Sequence, residues 1–502
     1  MNFSLNKLMP LYLILTVILF YSCSKDDSSQ NEDEIVEVLN LPQVITYEAS
    51  DITPVSAQLS FKVINQQQSG VVEAGIIIGF EPNLSLENNS NSAYLPLNEL
   101  GEYSISLEPL PEESSVIYIV GYAINADGVG YGNEVILNTD GNKTYNGSIE
   151  LTTQEEVIEF GSNNYNSITG SLRIGGSVSD LSPLNQLYET GLQVDIVESN
   201  LTNFQGLENL RVIADWVAQG FKIENNSLLE SFDGLDNLNL IRGNFYIINN
   251  QNLQNFYGLN SLEYVSAGDM YITNNNNLVN LNGLNSLLAI GLDRFLAIQT
   301  NNSLIDISGL ENLQTIKAIS IDTNNSLTNL NGLQSVNNLE SLSLNQNASL
   351  SDINAVANTE TLRGLIITGN NNLIDLPVFE NLTSFSTLKI NFGSPITSLS
   401  AFQNVNNMDL LELFQSNFTS LEGLDSLTHI GILSLNQNEN LISLNGLESL
   451  TSADNIGIYD NPNLSNFCSL TNLFTNGFVE NYGVEFNAQN PTGEDIINGN
   501  CN

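Results

Sequence analysis

The sequence has few of the residues on which most catalytic and nucleic-acid-binding sites depend. It contains 1 histidine, 3 cysteines and only 12 Lys plus Arg against 56 Asp plus Glu, which gives a formal net charge of -44. Such an acidic surface repels phosphate backbones and anionic lipid headgroups, so the composition argues against nucleic acid as a partner. We interpret the acidity as a source of solubility, because no acidic calcium-loop pattern is present.

The scarcity of histidine also limits the chemistry that the chain could carry out. Any Ser-His-Asp, Cys-His or zinc site would have to use His429, and the surrounding "SLTHIG" has the features of a connector between repeats. No Gly-rich phosphate loop follows a predicted strand. We therefore predict no catalytic residues, no metal site and no cofactor.

The N-terminus has the features of a secretory signal. Lys7 precedes an apolar run over residues 8–22, which contains Pro10 and is too short for a comfortable membrane span. The run ends in "FYSC", with Ser22 just before Cys23. An uncleaved anchor, or a plain signal followed by a chance cysteine, remains an alternative.

This terminus resembles a bacterial lipoprotein signal, with Phe20 where Leu is usual. The following "SKDD" resembles the Lys-Asp-Asp export tag of Bacteroidota-type surface lipoproteins. The resemblance implies cleavage after residues 1–22 and lipidation at Cys23. It also implies attachment to the outer membrane through a lipid anchor only, with display on the cell surface. Residues 23–40 are acidic and polar, and we predict a flexible tether.

Residues 41–139 alternate apolar and polar side chains in short runs separated by Gly, Pro and Asn. "AQLSFKV" and "YSISL" each place their apolar residues on one face, which is the period of a half-buried strand. About a hundred residues of this kind predict a β-sandwich. "YIVGYAINADGVGYGNEVILNT" (Tyr118 to Thr139) resembles the last two strands of fibronectin type III-like domains, which implies a spacer or contact module.

A repeat fills most of the chain from Val178 onward. In "ESLSLNQNASLSDINAV" (Glu340 to Val356), leucines two apart are followed by apolar residues three apart. Thirteen copies of the three-spaced set run from Val178–Leu187 to Leu464–Leu473, mostly 22 to 26 residues apart, and one longer 28-residue step carries Trp216. Because an α-helix needs a 3, 4, 3 spacing, the strict threes predict a strand followed by 3₁₀-like or extended coil. Residues 176–473 are thus predicted to form a parallel β-solenoid with about 13 coils.

The repeat resembles the leucine-rich repeat, with Leu342, Leu344, Asn347 and Leu350 in matching positions. The repeat departs from the leucine-rich pattern in one respect, because two residues instead of one separate the Asn from the next Leu. That spacing and the recurrent Gly-Leu pairs are also similar to the receptor L domain. Either relative implies a right-handed stack with one parallel sheet, and the sequence leaves the choice between them open.

One asparagine position recurs through the solenoid, and we predict that its buried amides satisfy turn backbone within and between coils. The residues at this position are Asn226, Asn250, Asn275, Asn301, Asn324, Asn347, Asn370, Asn438 and Asn461. In the middle repeats Gly393 and Ser416 take the position, so that region is expected to be less regular. Residues 147–175 and 474–502 are predicted as N- and C-terminal caps, and Cys468 is predicted to pair with Cys501.

The remaining question is what the solenoid does. Outward-facing strand positions place Lys222, Tyr246 and Tyr271 in one column with Ile248 beside them, which is the predicted ligand-binding patch. We predict a cell-surface lipoprotein that binds or adheres to an extracellular protein or polysaccharide. The alternative is a carbohydrate-active lyase or hydrolase on a parallel β-helix, but no close carboxylate pair stands out on the outward positions.

Overall fold

A computed structural model describes residues 40–52, 56–65, 70–88, 92–95, 101–108, 110, 116–138, 143–214 and 219–502. The signal and tether predictions, including lipidation at Cys23, and Trp216 lie outside the described residues. The described chain is mainly β. The strands of the first region are β1 (Gln43–Thr46), β2 (Ala57–Asn65), β3 (Glu73–Gly79), β4 (Ser92–Leu95), β5 (Gly101–Leu107), β6 (Val116–Asn125) and β7 (Gly128–Asn138).

These seven strands form two antiparallel sheets, in the orders β1-β2-β5 and β4-β3-β6-β7. The predicted inward face of β2 is confirmed, because Ala57, Leu59, Phe61 and Val63 are all buried. Side chains from both sheets contribute to this hydrophobic cluster. The sequence therefore places its apolar side chains between the two sheets.

The second region is a parallel β-solenoid of about 15 turns. Its strands belong to one 20-stranded sheet. They are β8 (Thr144–Tyr145), β9 (Ile149–Leu151), β10 (Ser167–Ile168), β11 (Leu172–Gly175), β12 (Glu189–Thr190), β13 (Val194–Val197), β14 (Val212–Ala214), β15 (Phe221–Glu224), β16 (Leu240–Ile248), β17 (Tyr264–Thr273), β18 (Ala289–Ile290), β19 (Phe295–Gln299), β20 (Ala318–Asp322), β21 (Ser341–Asn345), β22 (Gly364–Thr368), β23 (Ser384–Asn391), β24 (Asn407–Phe414), β25 (His429–Asn436), β26 (Ser452–Tyr459) and β27 (Phe478–Glu485).

The number of turns differs from the 13 coils expected from the repeat. The additional strands are β9 and β27, which lie outside the thirteen copies because their own coil segments do not show the three-spaced apolar set. His429 also differs from its prediction, because it begins β25 instead of lying in a connector. Its backbone pairs in register with Asn407 and Ser452.

The predicted three-residue period of the coil segments is confirmed by backbone hydrogen bonds. The N–H of Leu259 donates to the carbonyl of Phe256 at 3.0 Å, and the N–H of Leu262 donates to that of Leu259 at 3.0 Å. Several coils tighten further into short 3₁₀ turns. These are Ser182–Leu184, Ser308–Leu310, Asn354–Val356, Ser400–Phe402 and Cys468–Leu470.

A glycine in many coils allows neighbouring turns to approach closely. Gly332 has φ of 117°, and a Cβ at this position would lie 2.2 Å from the carbonyl oxygen of Ile307 in the preceding coil. Only glycine fits such a contact. Ala355 and Ala401 take the place of this glycine in two coils, and both lie in 3₁₀ turns.

The recurring asparagines form a buried ladder along the solenoid, as predicted. All nine have 0% exposed area. In each step the side chain joins two coils: Nδ2 of Asn275 donates to the carbonyl of Ile247 at 2.9 Å, and its Oδ1 accepts from the N–H of Asn250 at 2.9 Å. Asn487 extends this ladder by one turn, since its Oδ1 accepts from the N–H of Asn461 at 3.0 Å.

The ladder is interrupted in the middle repeats, where the sequence predicted less regularity. Gly393 has the spacing and register of the ladder position, but it is exposed and left-handed like Phe392 before it, and the next residue, Ser394, is buried instead. No residue is inserted, because Leu365, Asn370 and Leu373 have the same spacing as Leu388, Gly393 and Ile396. The hydroxyl of Ser394 is buried without a hydrogen-bond partner among the described residues.

Both ends of the solenoid carry short helices. Helix α1 (Gln154–Gly161) begins with a capping box in which Thr153 and Glu156 satisfy each other's backbone N–H groups. Helices α2 (Thr471–Asn476) and α3 (Gly493–Ile497) lie near the C-terminus, where the predicted Cys468–Cys501 disulfide is present. Among the described residues, no helix is long and apolar enough to span a bilayer.

Candidate functional site

The open face of the parallel sheet carries the four residues predicted as a binding patch. Lys222, Tyr246 and Tyr271 are neighbours in register on β15, β16 and β17. Ile248 lies two residues after Tyr246 on the same face, in register with Glu224 and Thr273. The structure thus brings all four together, and we call Lys222, Tyr246, Ile248 and Tyr271 the tyrosine patch.

The two tyrosine rings stack on each other. Their centroids are 4.9 Å apart with planes 16° from parallel, and both side chains are partly exposed. Phe295 on β19 packs edge-on against Tyr271 at 5.1 Å. Because the rings cover one another's faces, the patch presents ring edges and hydroxyls to a ligand instead of a flat aromatic surface.

Polar side chains two residues earlier on the same strands hold the tyrosine hydroxyls. Nδ2 of Asn244 donates to the hydroxyl of Tyr246 at 2.6 Å. Burial raises the pKa of Tyr271 above its ordinary value, and the nearby Asp269 carboxylate and Tyr246 raise it further. Tyr271 therefore stays protonated at neutral pH and can donate a hydrogen bond.

Lys222 is not a free cation, because its ammonium lies 3.1 Å from a carboxylate oxygen of Glu224. Charges continue in the same column toward the N-terminal turns. Arg173 lies between Glu150 at 3.1 Å and Asp195 at 3.7 Å. The patch therefore borders a row of alternating charges whose net effect is close to neutral.

Sequence reasoning missed Asn244, Asp269 and Phe295. The period of two along a strand could have indicated all three, since each lies two residues from an outward position. Ala297 also takes an outward position on its strand, yet its side chain is only 1% exposed. It follows Tyr271 in register and lies two residues from Phe295, so these rings flank it.

The carboxylates elsewhere on the open face are engaged by neighbouring polar groups. Glu412 accepts from Nζ of Lys389 at 3.1 Å and from Nδ2 of Asn391 at 2.9 Å. Asp322 accepts from the side chains of Ser320 and Asn345. Over the described ranges, no group of three or more His, Cys, Asp or Glu residues could hold a metal ion.

A scan against protein-family models and a search of curated proteins found no match for this chain. The function must therefore be argued from the geometry of the described residues. The class that the fold defines is a mainly β protein with a parallel β-solenoid.

Proposed function

We propose that this chain is a recognition or adhesion protein that binds an extracellular protein or polysaccharide through the open face of its solenoid. The observation that carries the proposal is the in-register column of partly exposed Lys222, Tyr246 and Tyr271. Aromatic side chains held in fixed orientations contribute large contact area at low entropic cost, and interface hot spots are enriched in them. The carboxylates of Glu412 and Asp322 on the open face are engaged by neighbouring cationic, amide and hydroxyl groups, which favours binding over the enzymatic alternative.

The proposal includes the two finer domain assignments. Seven strands in two antiparallel sheets over about a hundred residues support a fibronectin type III-like sandwich. Coils that combine a strand with a 3₁₀ turn at a spacing of 22 to 28 residues support a leucine-rich or receptor L-domain-like repeat. Parallel strands joined by crossovers are almost always right-handed, which supports the expected handedness.

The experiment on the open face uses a glycan and extracellular-protein array probed with the whole secreted chain. The double variant Tyr246→Ala with Tyr271→Ala should weaken binding to the ligands so identified by on the order of 1 to 2 kcal/mol for each true anchor. The matched control is Ser320→Ala with Ser343→Ala, which lies in the same column on β20 and β21. Equal binding by the tyrosine variant and the control, with both folded, would contradict the assignment.

Surface anchoring is the second part of the proposal, and it rests on the "FYSC" and "SKDD" motifs. Labelled fatty acid should enter the wild type and not the Cys23→Ser variant. Protease added to intact cells should remove the wild-type protein. Equal labelling of both proteins would contradict lipidation, whereas protection from protease would contradict outward display.

A further inference from the structure

A cavity lies away from the open face, at the edge of the sheet where strands β23 to β26 end. It has a volume of about 730 Å³ and crosses four successive turns. Three steps between neighbouring strands make it roughly 14 Å long. We call this cavity the rim groove. Its lining includes Phe392, Gln415, Asn417, Gln437, Glu439 and Asp460.

The rim groove begins at the turn where the asparagine ladder is broken. Phe392 takes the left-handed position that recurs in the turns, at φ of 56°, and its side chain is 54% exposed. A bulky residue in this region of φ is strained, and glycine or asparagine would be preferred. Gly393 is left-handed as well, and the buried hydroxyl of the next residue, Ser394, has no hydrogen-bond partner among the described residues. Departures of this kind cluster at functional sites, which makes the exposed ring a candidate for ligand contact.

The chemistry of the lining indicates a ligand with many hydroxyl groups. Amides line the cavity and are held in place by one another: Nε2 of Gln415 donates to Oε1 of Gln437 at 2.9 Å, and Nδ2 of Asn440 donates to Oδ1 of Asn417 at 3.1 Å. Each amide offers both donors and acceptors, which hydroxyls need. The Phe392 ring, fixed edge-to-face against Phe414 at 5.2 Å, adds an apolar surface.

Charge restricts the ligand further. Two carboxylates, those of Glu439 and Asp460, line the groove. Among the described residues that line it, none is Lys or Arg. An anionic polymer would therefore be repelled. We propose that the rim groove binds a neutral oligosaccharide, with one sugar ring against Phe392 and hydroxyls bonded to the amides. This site is separate from the tyrosine patch and does not depend on the function proposed for it.

The test uses titration calorimetry of the whole secreted chain with neutral hexasaccharides of the glucan, mannan and xylan types. An oligogalacturonate and a lysine-rich peptide serve as charged comparators. At least one neutral sugar should bind, and Phe392→Gly should weaken it about tenfold or more, the effect of losing one aromatic anchor. Because glycine takes φ of 56° without steric cost, this variant should fold as well as the wild type.

Two further variants separate the possible outcomes. Tyr257→Ala removes a ring of similar exposure, 49%, outside the rim groove and should leave binding unchanged. Glu439→Gln with Asp460→Asn should retain the neutral sugar. The proposal is overturned if no neutral hexasaccharide binds at millimolar concentration, if only the basic peptide binds, or if Tyr257→Ala reduces binding as much as Phe392→Gly. Loss of sugar binding in the Tyr246 and Tyr271 variants alone would assign the sugar to the open face instead.

Discussion

Truncation of a single asparagine in the ladder should be one of the most destabilising changes available in the solenoid. In Asn301, Nδ2 donates to the carbonyl of Ile272 at 2.8 Å and Oδ1 accepts from the N–H of Asn275 at 2.9 Å. Asn301→Ala leaves both backbone groups buried without partners, at about 1 to 3 kcal/mol each. We therefore expect a loss of about 4 kcal/mol in the free energy of unfolding.

The matched control is the next residue, Asn302, which has the same side chain in an exposed position. Its Nδ2 donates to Oδ1 of Asn276 at 3.0 Å, and water can replace that bond, so Asn302→Ala should cost less than about 1 kcal/mol. Because a solenoid can open locally, the assay is hydrogen exchange resolved by peptide together with urea unfolding. Protection should fall first in the coils that contain Asn275 and Asn301. Equal costs for the two variants would refute the reasoning, since they would mean that water or local rearrangement satisfies the freed backbone.

Three further predictions concern other parts of the solenoid. Reduction of Cys468–Cys501, which closes a 33-residue separation, should cost roughly 4 kcal/mol and raise hydrogen exchange after residue 464 only; a uniform rise would contradict this. Burial raises the pKa of Tyr482. The stability that the protonated tyrosine contributes is therefore full below about pH 10 and is lost as the pH rises above it. The melting temperature of the Tyr482→Phe variant should not show this loss at alkaline pH. Gly332→Ala should lower the free energy of unfolding by more than about 3 kcal/mol, because its Cβ would meet the preceding coil. Gly393→Ala has free space for Cβ and should cost only about 1 to 2 kcal/mol of backbone strain. Similar melting temperatures for the two variants would contradict the close-contact argument.

The regular part of the solenoid was predictable because its residue spacing repeats a physical requirement in every turn. Apolar residues two apart must share one strand face, and apolar residues three apart must share one side of a 3₁₀-like coil. A polar residue held at one place between them must satisfy buried backbone. These constraints predict the buried positions of Leu342, Leu344 and Asn347, which the structure confirms.

The sites were less predictable because they depend on departures from the repeat. Spacing places Gly393 at the ladder position, but it does not reveal that a second left-handed residue there leaves Ser394 as the buried side chain. The burial of Ala297 depends on the orientation of two rings on neighbouring strands, which a pattern of outward positions does not contain. The same holds for the Tyr246–Tyr271 stack, whose register was predicted but whose ring geometry was not.

The two proposed sites differ in what they cost the fold, and this difference bears on how strongly each indicates function. Stacked tyrosines on an open sheet stabilise it, because an aromatic pair contributes roughly 0.5 to 1.5 kcal/mol beyond its buried area. Their presence therefore has a structural explanation that needs no ligand. The turn at Phe392 and Gly393 has no such explanation for its buried Ser394 hydroxyl, which lacks a hydrogen-bond partner among the described residues. An exposed phenylalanine at the left-handed position also occurs at Phe486, with φ of 59°, so the unpaired hydroxyl and the second left-handed residue are the distinctive features here. A regular turn with glycine and asparagine, as at Gly369 and Asn370, would avoid both. Of the two surfaces, the rim groove is thus the one whose structure is harder to explain without a ligand.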